Sequence, residues 1–146
     1  MGQITSMIQL EQTQLKAIVE QQLMGMVCYV HQRTGQLISF PDPDRFAEFD
    51  DQEWVAEIER IKTNPEAYWK VVRMSNQEEF QLMETFANCE TAEPLRSQLL
   101  TILSQAKPFR YYKEAIDRSG VYRQAWHSFR EQGWLNWLER QLPDVT

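Results

Sequence analysis

A short segment with strand periodicity inside a chain of helical periodicity constrains most strongly what this sequence can fold into. Between Met26 and Phe40 the apolar residues alternate with polar ones, and residues 33–35 end in a glycine that can adopt the positive φ of a hairpin turn. The pattern predicts strands over Met26–His31 and over residues 36–40. Residues 68–73 are aromatic and β-branched and predict a third strand, which a marginal two-stranded hairpin needs.

Elsewhere the apolar residues recur at helical spacing. The first helix is expected over residues 11–25, and a second from about Asp51, with Trp54, Ile58 and Ile61 on one face. Pro41 is expected to open a connector between strand and helix. We therefore expect an α+β fold with a three-stranded antiparallel sheet, five or six helices and an all-helical C-terminal half.

The C-terminal helices are marked by their end signals and by their apolar stripes. Ser75 and Glu78 have the spacing of a capping box, and Pro108 is suited to the first turn of a later helix. Gly133 is expected to bend or break the last helix. The stripes expected to be buried are Phe80, Met83, Phe86 and Ala87, then Leu95, Leu99, Ile102 and Ala106, then Phe109, Tyr112 and Ile116.

The length and composition limit the class of protein. With 146 residues, 42% of them hydrophobic, the chain is expected to form a single α+β domain over residues 1–146. Cys28 and Cys89 have no partner spacing, so we expect reduced thiols and a cytoplasmic protein. No stretch is apolar enough for a membrane helix, and a net charge of −6 disfavours general binding to nucleic acid or anionic membranes.

Five segments carry a resemblance to a known family. They are VCYVHQRTGQLISF, PEAYWKVVR, SNQEEFQLMETFA, PFRYYKEAI and YRQAWHSFRE, in this order. Their order resembles a bacterial family of small cytoplasmic proteins described as an uncharacterised protein family, and the likeness runs from about the first helix to the end. The resemblance implies the α+β fold and a bacterial, cytoplasmic setting, but it implies no activity and no catalytic residue.

Charge is distributed unevenly along the chain. Residues 42–93 contain fourteen acidic and five basic side chains, a net charge of −9, whereas residues 96–130 contain two acidic and seven basic side chains, a net charge of +5. In the basic segment Arg123, His127 and Arg130 stand at i, i+4 and i+7, which places them on one side of a helix. Arg110 and Lys113 on the preceding helix extend this group.

Two interpretations of the basic face remain open. Cations crowded on one helix side repel each other unless an anion or an acidic surface lies against them, so the five residues predict a binding site for an acidic protein partner or another anion. The alternative is that they pair internally with the acidic half of the chain, for example with Asp50, Glu53 and Glu57.

Catalytic and metal-binding motifs are not found in the sequence. Neither His31 nor His127 has a nucleophile placed beside it by a motif, and the two cysteines and two histidines lack metal-ligand spacing, so we expect no cofactor and no metal. A non-catalytic binding or regulatory module is therefore favoured over an enzyme. The alternatives are a small hydrolase or phosphate-handling enzyme whose site assembles only in three dimensions, and a nucleic-acid-binding protein.

Overall fold

The computed structural model describes residues 10–43 and 51–142. These residues confirm the predicted α+β fold, and they form two compact units, one made of residues 10–43, 51–73 and 138–142 and the other of residues 74–137. The elements are α1 (Gln12–Leu23), β1 (Met26–His31), β2 (Leu37–Pro41), α2 (Val55–Thr63), β3 (Tyr68–Lys70), α3 (Asn76–Glu90), α4 (Leu95–Leu103), α5 (Pro108–Ser119) and α6 (Arg123–Gln141).

The first unit is built around an antiparallel sheet with strand order β2-β1-β3. Gly35 has a φ of 75°, as predicted for the hairpin turn. The turn is also held by His31, whose Nδ1 accepts hydrogen bonds from the backbone N–H groups of Arg33 and Thr34 at 3.1 and 3.2 Å. His31 therefore has a structural role at the base of the hairpin.

Helix α1 covers the sheet of the first unit and supplies buried Leu15, Ile18 and Val19. On β1, Cys28 is buried and its thiol donates to the Ile18 carbonyl at 3.8 Å. Burial disfavours the thiolate and raises the pKa of Cys28 to about 12, with the Arg73 charge acting weakly in the opposite direction. This thiol stays protonated at neutral pH and serves as a small apolar group.

Three predictions for the first unit need correction. Pro41 belongs to β2 and pairs with Met26, which an edge strand tolerates because one side of its backbone makes no ladder bonds. Strand β3 ends at Lys70 rather than at residue 73, although Val71 N still donates to the Cys28 carbonyl at 2.9 Å. Helix α2 begins at Val55, after a 3-10 turn over Asp51–Trp54, and none of its residues is fully buried.

The second unit is helical, and its first helix begins where the capping box predicted. The hydroxyl of Ser75 accepts from Glu78 N at 3.2 Å, and the Glu78 carboxylate accepts from Ser75 N at 3.1 Å. Helices α3, α4, α5 and α6 enclose one apolar cluster. Trp126 and Phe129 of α6 pack against Phe86 at the edge of this cluster. The buried members of this cluster are Met83, Phe86, Ala87, Leu99, Leu103, Tyr112 and Ile116.

Two expected core residues of the second unit lie outside the core. Helix α4 ends at Leu103, which is buried, and Ala106 is exposed in the following turn, where Lys107 adopts a φ of 53°. Leu103 follows Leu99 at i+4 and completes the buried stripe of α4, so Ala106 is not part of it. Phe109 lies at the start of α5 and is 39% exposed.

Gly133 does not break α6, which runs without interruption from Arg123 to Gln141. A Cβ atom at Gly133 would lie 2.6 Å from Cδ2 of Leu82 on α3. The glycine is therefore explained by the close approach of the two helices rather than by a bend. Within the described ranges, no helix has both the length and the apolar character needed to cross a membrane.

Candidate functional site

In the second unit a buried carboxylate of α3 contacts the middle of α6. Glu79 on α3 is 6% exposed and accepts hydrogen bonds at both oxygens. Nε of Arg130 donates to Oε1 at 2.5 Å, and the indole Nε1 of Trp134 donates to Oε2 at 2.7 Å. The guanidinium compensates the charge of this carboxylate and both oxygens have donors, which offsets the cost of burying it.

The neighbouring carboxylate, that of Glu78, also accepts a hydrogen bond from a tryptophan of α6. Glu78 accepts from the indole Nε1 of Trp137 while it also caps α3 through Ser75. Trp134 and Trp137 are both buried within the single chain, so the tryptophan-rich end needs no second subunit to cover it. Two adjacent carboxylates on α3 therefore fix the rotation of α6 about its own axis.

This rotation leaves a cleft of about 740 Å³ between α5 and α6, with α3 at its base. Its apolar surface comes from Met83, Phe109, Tyr112 and Trp126. The Tyr112 hydroxyl donates to the Met83 carbonyl at 2.9 Å, and burial raises the Tyr112 pKa, so the phenol stays neutral and is used internally. The other lining residues are Glu79, Lys113, Asp117, Gly120, Arg123, Gln124, His127 and Arg130.

The charged groups of the cleft differ in how far they are neutralised. Arg130 is paired with buried Glu79 and also lies over the Trp134 ring, 5.9 Å from its centroid. Arg123 lies 3.7 Å from Asp117, but the two side chains are 74% and 46% exposed, so this pair is weak. Exposed Lys113 and His127 pair with no carboxylate in the part of the chain that the structure describes.

The structure brings together four of the five residues named from the sequence. Lys113, Arg123, His127 and Arg130 all line the cleft. Arg110 does not, because its guanidinium lies 3.4 Å from Glu114 and 5.7 Å from the Tyr111 ring centre.

The alternative interpretation of the basic face, internal pairing with the acidic segment, holds for one of these residues. Arg130 is neutralised by Glu79, which belongs to the acidic segment 42–93. Asp50, which was named as a pairing candidate, lies outside the described residues. Among the described residues, Lys113 and Arg123 at the mouth of the cleft have no buried carboxylate as a partner.

Several lining residues were not singled out from the sequence. Glu79 precedes Met83 by four residues and Phe86 by seven, so it occupies the buried stripe of α3. A carboxylate at such a position needs a cation or donor, and this pattern could have indicated that one lies opposite it. No sequence pattern indicated that Phe109 is exposed, because the residue has the spacing of a core position.

No described residues point to metal chemistry. No group of three or more His, Cys, Asp or Glu side chains in residues 10–43 and 51–142 is arranged to hold a metal ion. Cys28 and Cys89 both carry free thiols, the first buried and the second exposed.

Comparisons with known proteins agree with the family resemblance. Neither the curated proteins nor the solved structures include a significant match to the chain. The family model of the uncharacterised protein family UPF0158 matches residues 10–143. Since this match spans nearly the whole chain, the protein belongs to the uncharacterised protein family UPF0158.

Proposed function

We propose that this chain is a non-catalytic binding module that holds an acidic protein partner in the cleft between α5 and α6. The observation that carries the proposal is the separation of charges in that cleft. The inner cation, Arg130, is already compensated by Glu79, whereas Lys113, Arg123 and His127 are exposed at the mouth. An acidic surface laid across the mouth would relieve the repulsion between Lys113 and Arg123 and could accept a hydrogen bond from His127.

The local charge also distinguishes this surface from the rest of the protein. The chain carries a net charge of −6, yet residues 96–130, which supply most of the lining, carry +5. An acidic partner would therefore be steered toward this segment and repelled by residues 42–93.

The same geometry supports binding over catalysis. Both oxygens of Glu79 are engaged by Arg130 and Trp134, so this carboxylate is a structural group rather than a general base. The other carboxylate of the cleft, Asp117, faces Arg123, and His127 is exposed. We therefore favour the binding module over the hydrolase and over the nucleic-acid-binding protein.

The bacterial and cytoplasmic setting implied by the family resemblance is part of this proposal. A reducing compartment suits the two free thiols, since neither of them contributes to a disulfide. The partner is accordingly expected among acidic proteins of the same compartment.

A capture experiment tests the proposal. The wild type, a Lys113→Glu/Arg123→Glu double variant and an Arg118→Glu control are immobilised and exposed to nuclease-treated native lysate. Arg118 is a suitable control because its side chain is 82% exposed on the same helix as Lys113 and does not line the cleft. We expect the double variant alone to lose a set of acidic proteins, whereas identical sets from all three would reject the proposal.

The captured partner then has to bind directly. The purified partner should bind the wild type with an affinity that falls as salt is raised, because exposed charges are screened within about 10 Å at 0.1 M salt. Capture that disappears on nuclease treatment would instead support nucleic-acid binding.

A further inference from the structure

We propose that the cleft recognises a linear acidic segment of its partner in which one aromatic or large aliphatic side chain stands beside the carboxylates. This inference rests on the proposed function and specifies the chemistry of the partner. It follows from the division of the cleft into an apolar part and a cationic part, which a purely acidic ligand would not use.

The apolar part is an exposed surface. Phe109 is a large ring that is 39% exposed in the first turn of α5, and Trp126 on α6 is half-buried next to Tyr112. Covering such a surface gives roughly 25 cal/mol for each Å² removed from water. A ligand that carries only charges would leave Phe109 in contact with water.

The polar groups next to this surface are already satisfied. The Tyr112 hydroxyl donates to the Met83 carbonyl, and Arg130 is held by Glu79. An apolar side chain that enters here therefore leaves the Tyr112 hydroxyl and Nε of Arg130 with their partners, which avoids the penalty for burying these two donors unpaired. The inner part of the cleft thus suits an apolar anchor better than a carboxylate or a phosphate.

The cationic part lies on both walls of the cleft. Lys113 belongs to α5, whereas Arg123 and His127 belong to α6, and all three are exposed. A peptide that lies along the cleft can then place carboxylates on either side of the inserted side chain. Asp117 disfavours an anion beside Arg123, but the Arg123–Asp117 pair is exposed, so a partner carboxylate can compete for the guanidinium.

The size of the cleft agrees with a segment of this kind. Ligand pockets in proteins measure about 300 to 1,000 Å³, and the 740 Å³ found here can take a large side chain together with the adjacent backbone. Recognition through one buried anchor with a charged rim is a common arrangement at protein interfaces. The proposal therefore places the anchor at Phe109 and Trp126, and the carboxylates at Lys113, Arg123 and His127.

The experiment uses the full chain and three short fluorescent peptides. The first is a run of glutamates with a central Leu-Phe pair, the second replaces Leu-Phe by Ser-Ser, and the third replaces the glutamates by glutamines. Binding is measured by fluorescence anisotropy at low and at high salt. We expect the first peptide to bind, and each replacement to weaken binding by about tenfold or more.

Two protein variants separate the two parts of the cleft. Phe109→Ser should abolish the advantage of the Leu-Phe peptide over the Ser-Ser peptide and leave the effect of salt intact. Lys113→Glu should weaken both acidic peptides. The matched controls, Val121→Ser for an exposed apolar side chain and Arg118→Glu for an exposed charge, should bind like the wild type. Circular dichroism of every variant confirms that it folds.

The outcomes distinguish this inference from the proposed function. If the Ser-Ser peptide binds as tightly as the Leu-Phe peptide, the anchor is rejected, while binding of acidic proteins at the cleft stands. If inorganic phosphate or a mononucleotide displaces the Leu-Phe peptide at a similar concentration, the cleft is a small-anion site and the inference is overturned. If no peptide binds, the inference is also overturned, and the capture experiment alone decides the proposed function.

Discussion

Buried Gln22 and Cys28 in the first unit and buried Glu79 in the second satisfy their hydrogen-bonding groups in different ways. In the first unit the partners are backbone atoms: buried Gln22 donates to the Val72 carbonyl at 2.9 Å, and Cys28 donates to the Ile18 carbonyl. In the second unit the partners of Glu79 are two side chains, Arg130 and Trp134. Gln22 and Cys28 are thus neutral groups buried against the main chain, whereas Glu79 is a charge buried against another helix.

In the second unit the hydrogen bonds of buried Glu79 also determine the geometry of the candidate site. The bonds from Glu79 to Arg130 and Trp134 join residues 51 and 55 positions apart, and they exist only when α6 has one rotation about its axis. The same rotation turns Arg123 and His127 toward the cleft. A change in the buried pair should therefore alter binding as well as stability, whereas polar changes in the first unit should alter stability alone.

The largest expected effect comes from removing the buried carboxylate. Glu79→Ala removes the carboxylate that accepts from the Trp134 indole N–H and that pairs with Arg130, so we expect a loss of about 3 kcal/mol in the free energy of unfolding. Part of the charge of Arg130 remains solvated, which keeps the loss at the lower end of the usual range for buried pairs. Urea denaturation followed by circular dichroism measures it.

The comparison of units supplies the control. Gln22→Ala in the first unit removes one neutral hydrogen bond, and we expect a loss of about 1 kcal/mol. Glu79→Gln keeps an acceptor for Trp134 but releases Arg130 from its counter-ion, so it should bind the acidic Leu-Phe peptide several-fold more tightly than the wild type. Equal losses for Glu79→Ala and Gln22→Ala would remove the distinction between the units.

The second effect is a loss of stability at alkaline pH. Cys28 in the first unit should contribute to it at a lower pH than Tyr112 in the second unit. The Cys28 pKa is raised from 9.0 to about 12 in the folded chain, so above pH 9 the unfolded chain ionises while the folded one stays protonated. The stabilisation is complete below pH 9 and declines by up to about 1.4 kcal/mol per pH unit toward pH 12. The raised Tyr112 pKa adds a loss of the same sign in the second unit, starting near pH 10.

Substitutions assign the two contributions. Urea denaturation between about pH 8 and pH 11 should show a smaller slope with pH for Cys28→Ala, beginning near pH 9, and for Tyr112→Phe, beginning near pH 10. Cys28→Ala should be less stable than the wild type at neutral pH and should approach it as the pH rises. A wild-type protein whose stability is unchanged up to about pH 11 would contradict the protonated, buried thiol.

The third effect concerns two glycines that are needed for different reasons. In the first unit Gly35 is needed for its φ of 75°, and in the second unit Gly133 is needed for the space beside Leu82. Gly133→Ala gains about 1 kcal/mol of helix propensity but forces the Leu82 side chain to move, so the net change should be small or unfavourable. In a Leu82→Ala background the gain should appear.

A double-mutant cycle measures this coupling. We expect an interaction free energy of about 1 kcal/mol between Gly133→Ala and Leu82→Ala. The matched control is Gly35→Ala, whose cost of about 1 kcal/mol arises from the positive φ and should be the same with Leu82 or Ala at position 82. Additive behaviour of the Gly133 pair would mean that packing against Leu82 does not explain the glycine.

Much of the fold could be predicted because its signals are local. The period of two around a turn glycine gave the hairpin, the Ser75–Glu78 spacing gave the start of α3, and Pro108 gave the start of α5. One error occurred where a tertiary contact decides the outcome. Gly133 was expected to break α6 because its reason, the proximity of Leu82, lies on another helix.

The candidate site could be predicted only in part, for the same reason. The helical spacing of Arg123, His127 and Arg130 was sufficient to place them on one side of α6, and the structure lines one cleft with all three. The spacing could not indicate that Arg130 turns inward to Glu79, 51 residues away in sequence. Long-range pairing of this kind depends on the rotation of two helices, which no linear pattern contains.

The smallest expected effect is that of Arg110→Glu. This substitution tests whether a basic residue that is close to Lys113 in sequence but lies outside the cleft contributes to binding. Arg110 and Lys113 are three residues apart on α5, but Lys113 lines the cleft, whereas Arg110 lies 3.4 Å from Glu114 outside it. Since exposed pairs contribute little, Arg110→Glu should change the free energy of unfolding by about 0.5 kcal/mol at most. It should leave acidic-peptide affinity within about twofold of the wild type, where Lys113→Glu costs about tenfold. Equal losses from both variants would mean that the overall charge of α5, and not the cleft, attracts the partner.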